Sequence, residues 1–316
     1  ETGPNLAAAL KAKVCDYDLV NLHTLWTESS RVVRTACRAA DVPYMVMPHG
    51  MLDPNSLQRK WIKKQIYGAL IEFPILRTAA ALLCTHTQEE RLARQSVTGL
   101  PTAYITPLGA DPPPAEKETL KQEFYQQHPD WREKPTVVFL SRLHEKKGLD
   151  LLIPAIKSLS ETIPDVRLLL VGSGEPAYES CLKELISQED IEQHVFMTGN
   201  LSGRDKWRAM AAGDVFALSS YQENFALVVV DALAIGLPVV LSNRVNIWSE
   251  IVQADAGLEC KLQPEHIARQ LATVLQSPAR QATMGQHGQE LVENQFTWEK
   301  CTERTLMAYE SVLAAR

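Results

Sequence analysis

The stretch "TVVFLSRLHEKKGLDLL", residues 136–152, decides how the rest of the chain is read. Its first half is an unbroken apolar run rich in β-branched residues, the pattern of a strand buried on both faces. Its second half opens a helix, and between the two lie Arg142, Lys146, Lys147 and Gly148. A strand that turns through glycine into a helix is half of a β-α-β unit. The two lysines add positive charge at a helix start, where the backbone dipole already makes the field positive. A bound anion would account for that charge, and so would a solvated helix end.

The same rhythm continues on both sides. Strands are expected at 136–142, 166–174, 194–200, 214–220 and 237–242, with helices over 148–161, 176–188, 204–212, 225–235, 264–275 and 298–314. Apolar strands alternating with crossover helices predict a doubly wound parallel sheet. In the first part of the chain, "YDLVNLHTLW" (17–26), "PYMVMPHG" (43–50), "AALLCTH" (80–86) and "AYITPLGAD" (103–111) predict about four more strands, preceded by a short helix-like "NLAAALKAK". The basic segment 57–79 reads as one or two helices. The proline-rich, charged segment 112–135 reads as the linker between two domains.

The chain has 316 residues, of ordinary size for two domains, and its 45% hydrophobic and 22% charged residues are those of a globular enzyme. The formal net charge of −6 argues against a nucleic-acid protein, so any anion site must be local. The six cysteines are scattered, with no C-x-x-C pair and no Cys/His cluster, which points away from zinc and from a disulfide framework and toward a reducing cytoplasm. No run of about 18 apolar residues spans a membrane, and no signal peptide opens the chain.

Open α/β sheets bind ligands beyond the carboxyl ends of their strands. After the strand at 136–142 come Arg142, Lys146, Lys147 and Gly148. After the next comes "GSGE" (172–175), and after the fourth "SSYQENFALVVVDAL" (219–233). Singly these signals are weak. "GSG" lacks the third glycine of a dinucleotide fingerprint, a lone "KKG" is more often a solvated helix start, and a lone Glu223 is more often a cap or dipole partner. Together they describe a pocket for a phosphate-bearing ligand. Glycines admit the ligand to the backbone, a helix start offers free N–H groups, and Arg and Lys supply counter-charge.

"FLSRLHEKKGLDLLIPA", "LLLVGSGE", "VFMTGNL" and "SSYQENFALVVVDALAIGLPVV" resemble the donor-binding domain of the retaining family-4 glycosyltransferases of GT-B fold. "VNLHTLW", "YMVMPHGMLDP" and "ITPLGAD" resemble matching parts of their N-terminal domain, so the resemblance covers nearly the whole chain. It implies an α/β protein with two Rossmann-like domains facing a cleft: a partial acceptor-side domain over 1–115, a donor-nucleotide domain over 116–297, and a helix over 298–316 returning to the first.

The resemblance also implies roles. The positions of Arg142 and Lys147 bind the donor diphosphate and stabilise the charge that builds as the sugar leaves, without a metal. Glu223, the first acid of the E-x7-E motif, holds donor-sugar hydroxyls near the anomeric carbon. Amides around Asn224, Phe225, Ala226 and Leu227 meet a phosphate. Asp231, the second acid, binds ribose hydroxyls. His49, in the "HG" turn, lies near the reacting sugar, and Gly172 and Gly174 line the nucleotide pocket.

The chain departs from the family pattern in four places. Asp231 is one methylene shorter than the usual Glu, Ala226 stands where glycine is usual, and Leu108 replaces an asparagine. The usual opening strand and glycine-rich loop have no match, so the N-terminal domain is expected to be incomplete.

Other residues have competing readings. Arg59, Lys60, Lys63 and Lys64 flank Trp61, Ile62 and Ile66 on an amphipathic pattern that suits anionic lipid headgroups, or else a solvated helix. His23 is read as an acceptor contact or a structural hydrogen bond, His86 as non-catalytic, and Trp298 as a packing residue.

The reading is a metal-independent retaining hexosyltransferase. It takes a UDP- or GDP-linked sugar to a polysaccharide or lipid-linked acceptor, in the cytoplasm with a peripheral membrane contact. The competing readings are a non-catalytic nucleotide-sugar-binding scaffold or a truncated, inactive homologue and, below these, a sugar-nucleotide 2-epimerase.

Overall fold

The computed structural model describes residues 5–58 and 61–315. Arg59 and Lys60 of the basic segment lie outside the described residues. The chain divides into two compact units, one formed by 1–108 with 299–316, the other by 109–298. The division falls earlier than the expected boundary near 115, because the supposed linker belongs wholly to the second unit.

The first unit carries a four-stranded parallel sheet of β1 (Val20–His23), β2 (Tyr44–Met47), β3 (Ala81–Cys84) and β4 (Ala103–Ile105), in that spatial order. β2 and β3 are buried along their whole length, as parallel strands covered on both faces must be. The helix Glu28–Ala40 covers one face through Val33, Ala36 and Cys37. The last helix, Trp298–Ala314, covers the other, with Ala308 and Val312 packed against Met45, Met47, Ala81 and Leu83. Asn21 Nδ2 in β1 donates to Tyr309 Oη at 2.9 Å, tying that helix to the sheet edge.

The second unit carries a six-stranded parallel sheet. Its strands are β5 (Thr136–Leu140), β6 (Arg167–Val171), β7 (Val195–Gly199), β8 (Val215–Leu218), β9 (Val239–Ser242) and β10 (Gly257–Cys260), in the spatial order β10-β9-β8-β5-β6-β7. Val137, Val138 and Phe139 of β5 are fully buried at its centre. β10 and the helix Pro278–Gln295 were not expected from the sequence. β10 is only four residues long, and the helix has polar residues through most of its length.

The expected linker is a helix, Lys117–Gln127, with Leu120, Phe124 and Tyr125 buried. Leu120 and Phe124 are one turn apart and face the same way. The Phe124 ring meets His128 at 4.6 Å and Trp131 at 6.1 Å, and Trp131 in turn meets Phe196. Glu123 accepts from Arg204 and Arg208, fastening this helix to Gly203–Ala211.

Candidate functional site

The strand order of the second unit places β5 and β8 side by side, although β6 and β7 lie between them in sequence. The chain reverses its direction of growth there, and the crevice beyond such a switch point is where sheets of this kind take ligands. The loops after β5 and β8 meet at that point.

After β5, Glu145–Lys147 form one 3-10 turn, with His144 Nδ1 accepting from the Lys146 amide at 3.1 Å. The turn ends at Gly148, whose φ of 68° leads into the helix Leu149–Ser160. A Cβ at Gly148 would stand 2.0 Å from the Ser219 carbonyl oxygen, so only glycine lets the two loops touch backbone to backbone. The contact is laced further. Ser219 Oγ donates to the Gly148 carbonyl at 2.7 Å, the Tyr221 amide to the Lys146 carbonyl at 2.8 Å, and Tyr221 Oη to Asp150 Oδ2 at 2.6 Å.

This lacing brings Lys147 against Glu223. The ammonium donates to Glu223 Oε1, and the two side chains are only 14% and 17% exposed. Ser220 Oγ lies 3.4 Å from the same oxygen. The loop after β9 holds Glu223 from the far side: its amide donates to the Arg244 carbonyl at 2.9 Å, and the Asn246 amide donates to its carbonyl at 3.1 Å. Arg142 and Lys146 are exposed just beyond β5.

Beyond Glu223, Phe225 is buried and packs edge-on against Phe296, while Leu227 is exposed. Ala226 sits in the left-handed region (φ 58°, ψ 66°) and begins the helix Leu227–Ala234. That geometry is why glycine suits the position. The helix has no side-chain cap and no acid in its first turn, so its leading amides carry partial positive charge toward the loop.

Asp231, one turn along this helix, is ion-paired to Lys206 at 2.9 Å. Burial raises its carboxyl pKa, against the opposing pull of Lys206. Gly172 (φ 139°) and Gly174 follow β6. A Cβ there would meet the Ser141 and Leu143 carbonyl oxygens at 1.9 and 2.2 Å, so both glycines bring the β6 loop onto the β5 loop.

In the first unit, His49 and Gly50 both have positive φ (50° and 75°), forming a tight turn after β2. His23 Nδ1 and His49 Nε2 are 2.9 Å apart with the rings stacked, so the two imidazoles share one hydrogen bond. Burial, and then the neighbouring His23, lowers the His49 pKa, which keeps it neutral near pH 7. Sequence reading missed Glu89, which is buried. It accepts from the Gly50 amide through one oxygen and from the Thr85 amide and hydroxyl, each at 2.7 Å, through the other. The signal was a glutamate in the first turn of a helix, a position usually explained by capping alone. His86 is the cap: its Nδ1 accepts from the Gln88 and Glu89 amides at 3.1 and 3.3 Å. Lys64 is not a free lipid-facing cation. It donates to the Ser56 carbonyl at 2.6 Å and lies over the Trp26 ring. Trp298 Nε1 donates to Asp111 at 2.8 Å, and the ring sits on Gly109.

Residues 121–291 match the family described as glycosyl transferases group 1, and residues 4–109 match the glycosyl transferase 4-like domain. A GDP-mannose-dependent phosphatidylinositol monomannoside mannosyltransferase of Corynebacterium glutamicum is 32% identical over 177 residues, 54% of this chain and 45% of that protein. The chain spans about half the length of the curated relatives it matches. Among solved structures, sucrose-phosphate synthase from Thermosynechococcus elongatus superposes with a TM-score of 0.77 at 23% identity, covering 99% of this chain and 78% of that one. Anabaena HepE in complex with UDP and glucose gives 0.77 at 21%, covering 98% and 83%. Both likenesses show the GT-B fold, two Rossmann-like units with parallel sheets. The chain belongs to the glycosyl transferases group 1 family.

Proposed function

We propose that the chain is a retaining, metal-independent hexosyltransferase acting from a UDP- or GDP-linked sugar onto a polysaccharide or lipid-linked acceptor. The observation that carries the reading is the Lys147–Glu223 pair, set at the switch point between β5 and β8 beside an uncapped helix start. Relatives add support: one is named for GDP-mannose, and one structure of the same fold holds UDP and glucose.

In this reading Arg142, Lys147 and the amides of Asn224 to Leu227 bind the diphosphate. The bond between anomeric carbon and phosphate oxygen breaks, and these donors stabilise the charge left on that oxygen. The acceptor hydroxyl attacks the same face, and its proton passes to the departing phosphate. Glu223 orients the sugar hydroxyls, with Lys147 as its counter-ion before the donor arrives. His49, in the turn that Glu89 holds through Gly50, is assigned a sugar contact in this reading. The exposed Lys63, Ile62, Ile66 and Leu70 support a peripheral contact with an anionic lipid surface, at the inner face of the cell membrane in this reading.

Ala226 favours one competing reading, a non-catalytic nucleotide-sugar binder, because its methyl occupies a turn where a phosphate is expected. Thermal unfolding with UDP, GDP and ADP, followed by donor hydrolysis or transfer with the stabilising nucleotide's sugar, tests both. Stabilisation with no turnover supports the binder, and no stabilisation by any of the three removes the nucleotide-sugar site.

A further inference from the structure

Asp231 and Lys206 come from different strand ends. Asp231 is on the helix that follows β8, and Lys206 is on the helix Gly203–Ala211 that follows β7. Lys206 Nζ donates to Asp231 Oδ2 at 2.9 Å, and the two side chains are 25% and 16% exposed. The ammonium also lies 4.4 Å from the centre of the Trp207 ring, and Trp207 is itself buried. Lys206 is thus held by an aromatic face on one side and a carboxylate on the other. Burial, and more weakly the like-charged Asp111, raise the Asp231 pKa, and Lys206 is the counter-charge that opposes them.

Resting on the reading of Asp231 as the ribose-binding acid, we infer that Lys206 is a positioning residue for ribose recognition. It grips Oδ2 and leaves Oδ1 to accept from the 2′- and 3′-hydroxyls of a nucleoside diphosphate. An aspartate ends one methylene short of a glutamate, so its carboxylate must be aimed rather than extended. The Lys206 bond does the aiming. A staple that merely joined the two helices would support protein stability and leave the distinction between ribose and deoxyribose untouched.

The test is calorimetric binding of UDP and of 2′,3′-dideoxy-UDP (or the GDP pair, if GDP is the nucleotide that stabilises the protein). The proteins are the wild type, Lys206→Met, Lys206→Arg and Asp231→Asn. The wild type is expected to prefer the ribonucleotide by about tenfold or more, the worth of hydrogen bonds to a charged group. Lys206→Met should reduce that preference to about threefold or less while keeping its dideoxynucleotide affinity, and Lys206→Arg should restore much of it. A Lys206→Met protein with the full wild-type preference overturns the inference, as does equal weakening toward both nucleotides. If Lys206→Met does not fold, Lys206→Ala takes its place: a preference reduced to about threefold or less supports the inference, and the full wild-type preference overturns it. A wild type without preference, or an Asp231→Asn protein that retains it, removes the ribose assignment itself, and the two failures are separate.

Discussion

Lys147 and Glu223 are each other's partner, so neither can be removed without exposing the other. Lys147→Ala takes away a charge-assisted donor and leaves Glu223 largely buried without its counter-ion. Nucleotide affinity should fall by about 1.5–3 kcal/mol, roughly ten- to a hundredfold, as read by calorimetry. Glu223→Gln keeps the shape and a hydrogen bond to Lys147 but not the charge. It should lower turnover by about a hundredfold while nucleotide affinity changes little, because the glutamate is assigned to the sugar. Equal loss of both would make Glu223 a structural residue. Two backbone positions beside the pair give opposite expectations. Gly148→Ala forces a methyl onto the Ser219 carbonyl in a left-handed turn and should cost about 2–5 kcal/mol of stability. Ala226→Gly relieves about 1–2 kcal/mol of left-handed strain against about 0.4–1 kcal/mol of added unfolded-state entropy, so melting should hold or rise slightly. The places of Arg142, Lys147 and Glu223 just beyond β5 and β8 were legible because those strands are local apolar runs. Glu89 was not, because its partners, Gly50 and Thr85, come together only when β2 and β3 pair.

The helix Lys117–Gln127 shows how punctuation can mislead at the level of elements. Prolines at 112–114 and the charged run after them read as a linker, yet Leu120 and Phe124 make one buried stripe a turn apart. Leu120→Ala should destabilise the second unit by about 2–5 kcal/mol in denaturant unfolding, the effect of a core cavity; a true linker would show almost nothing. The helical segment from Trp61 to Arg77 gives the reverse lesson. Its basic pattern was visible, but the structure also exposes a stripe of apolar residues. Ile62, Ile66 and Leu70, at i, i+4 and i+8, are 60%, 59% and 74% exposed, while Lys64 is occupied elsewhere. Ile62→Glu with Ile66→Glu should abolish co-sedimentation with anionic vesicles without lowering the melting temperature. Unchanged sedimentation would assign the stripe to another partner. Single-residue periodicity could not separate these cases, since an exposed isoleucine and a buried one look alike in sequence.

Across the second unit, charge burial links its parts to pH. Lys117 donates to the Gly236 carbonyl at 3.1 Å, and burial pushes its ammonium pKa down from 10.5 to about 8. Between those values the unfolded chain still holds the proton that the folded chain has released, so this group makes stability rise with pH there. Below about pH 8 both states are protonated and the cost of burying the charge is fully present. Cys260, pushed up to about 12, works in the opposite sense in alkali, so the comparison must be with Lys117→Met. The wild type should gain on that variant in denaturant unfolding between pH 8 and 10, and a constant difference would refute the assignment. The sequence by itself determined the parallel α/β class, the second sheet's first five strands and the residues at their carboxyl ends. Those follow from local hydrophobic runs and from the fixed hand of β-α-β crossovers. Only the tertiary structure decided which partner each charge takes. Lys147 with Glu223, Lys206 with Asp231 and Glu89 with Gly50 are pairs far apart in the chain, and which groups lose water together depends on strand order and loop packing that no local pattern encodes.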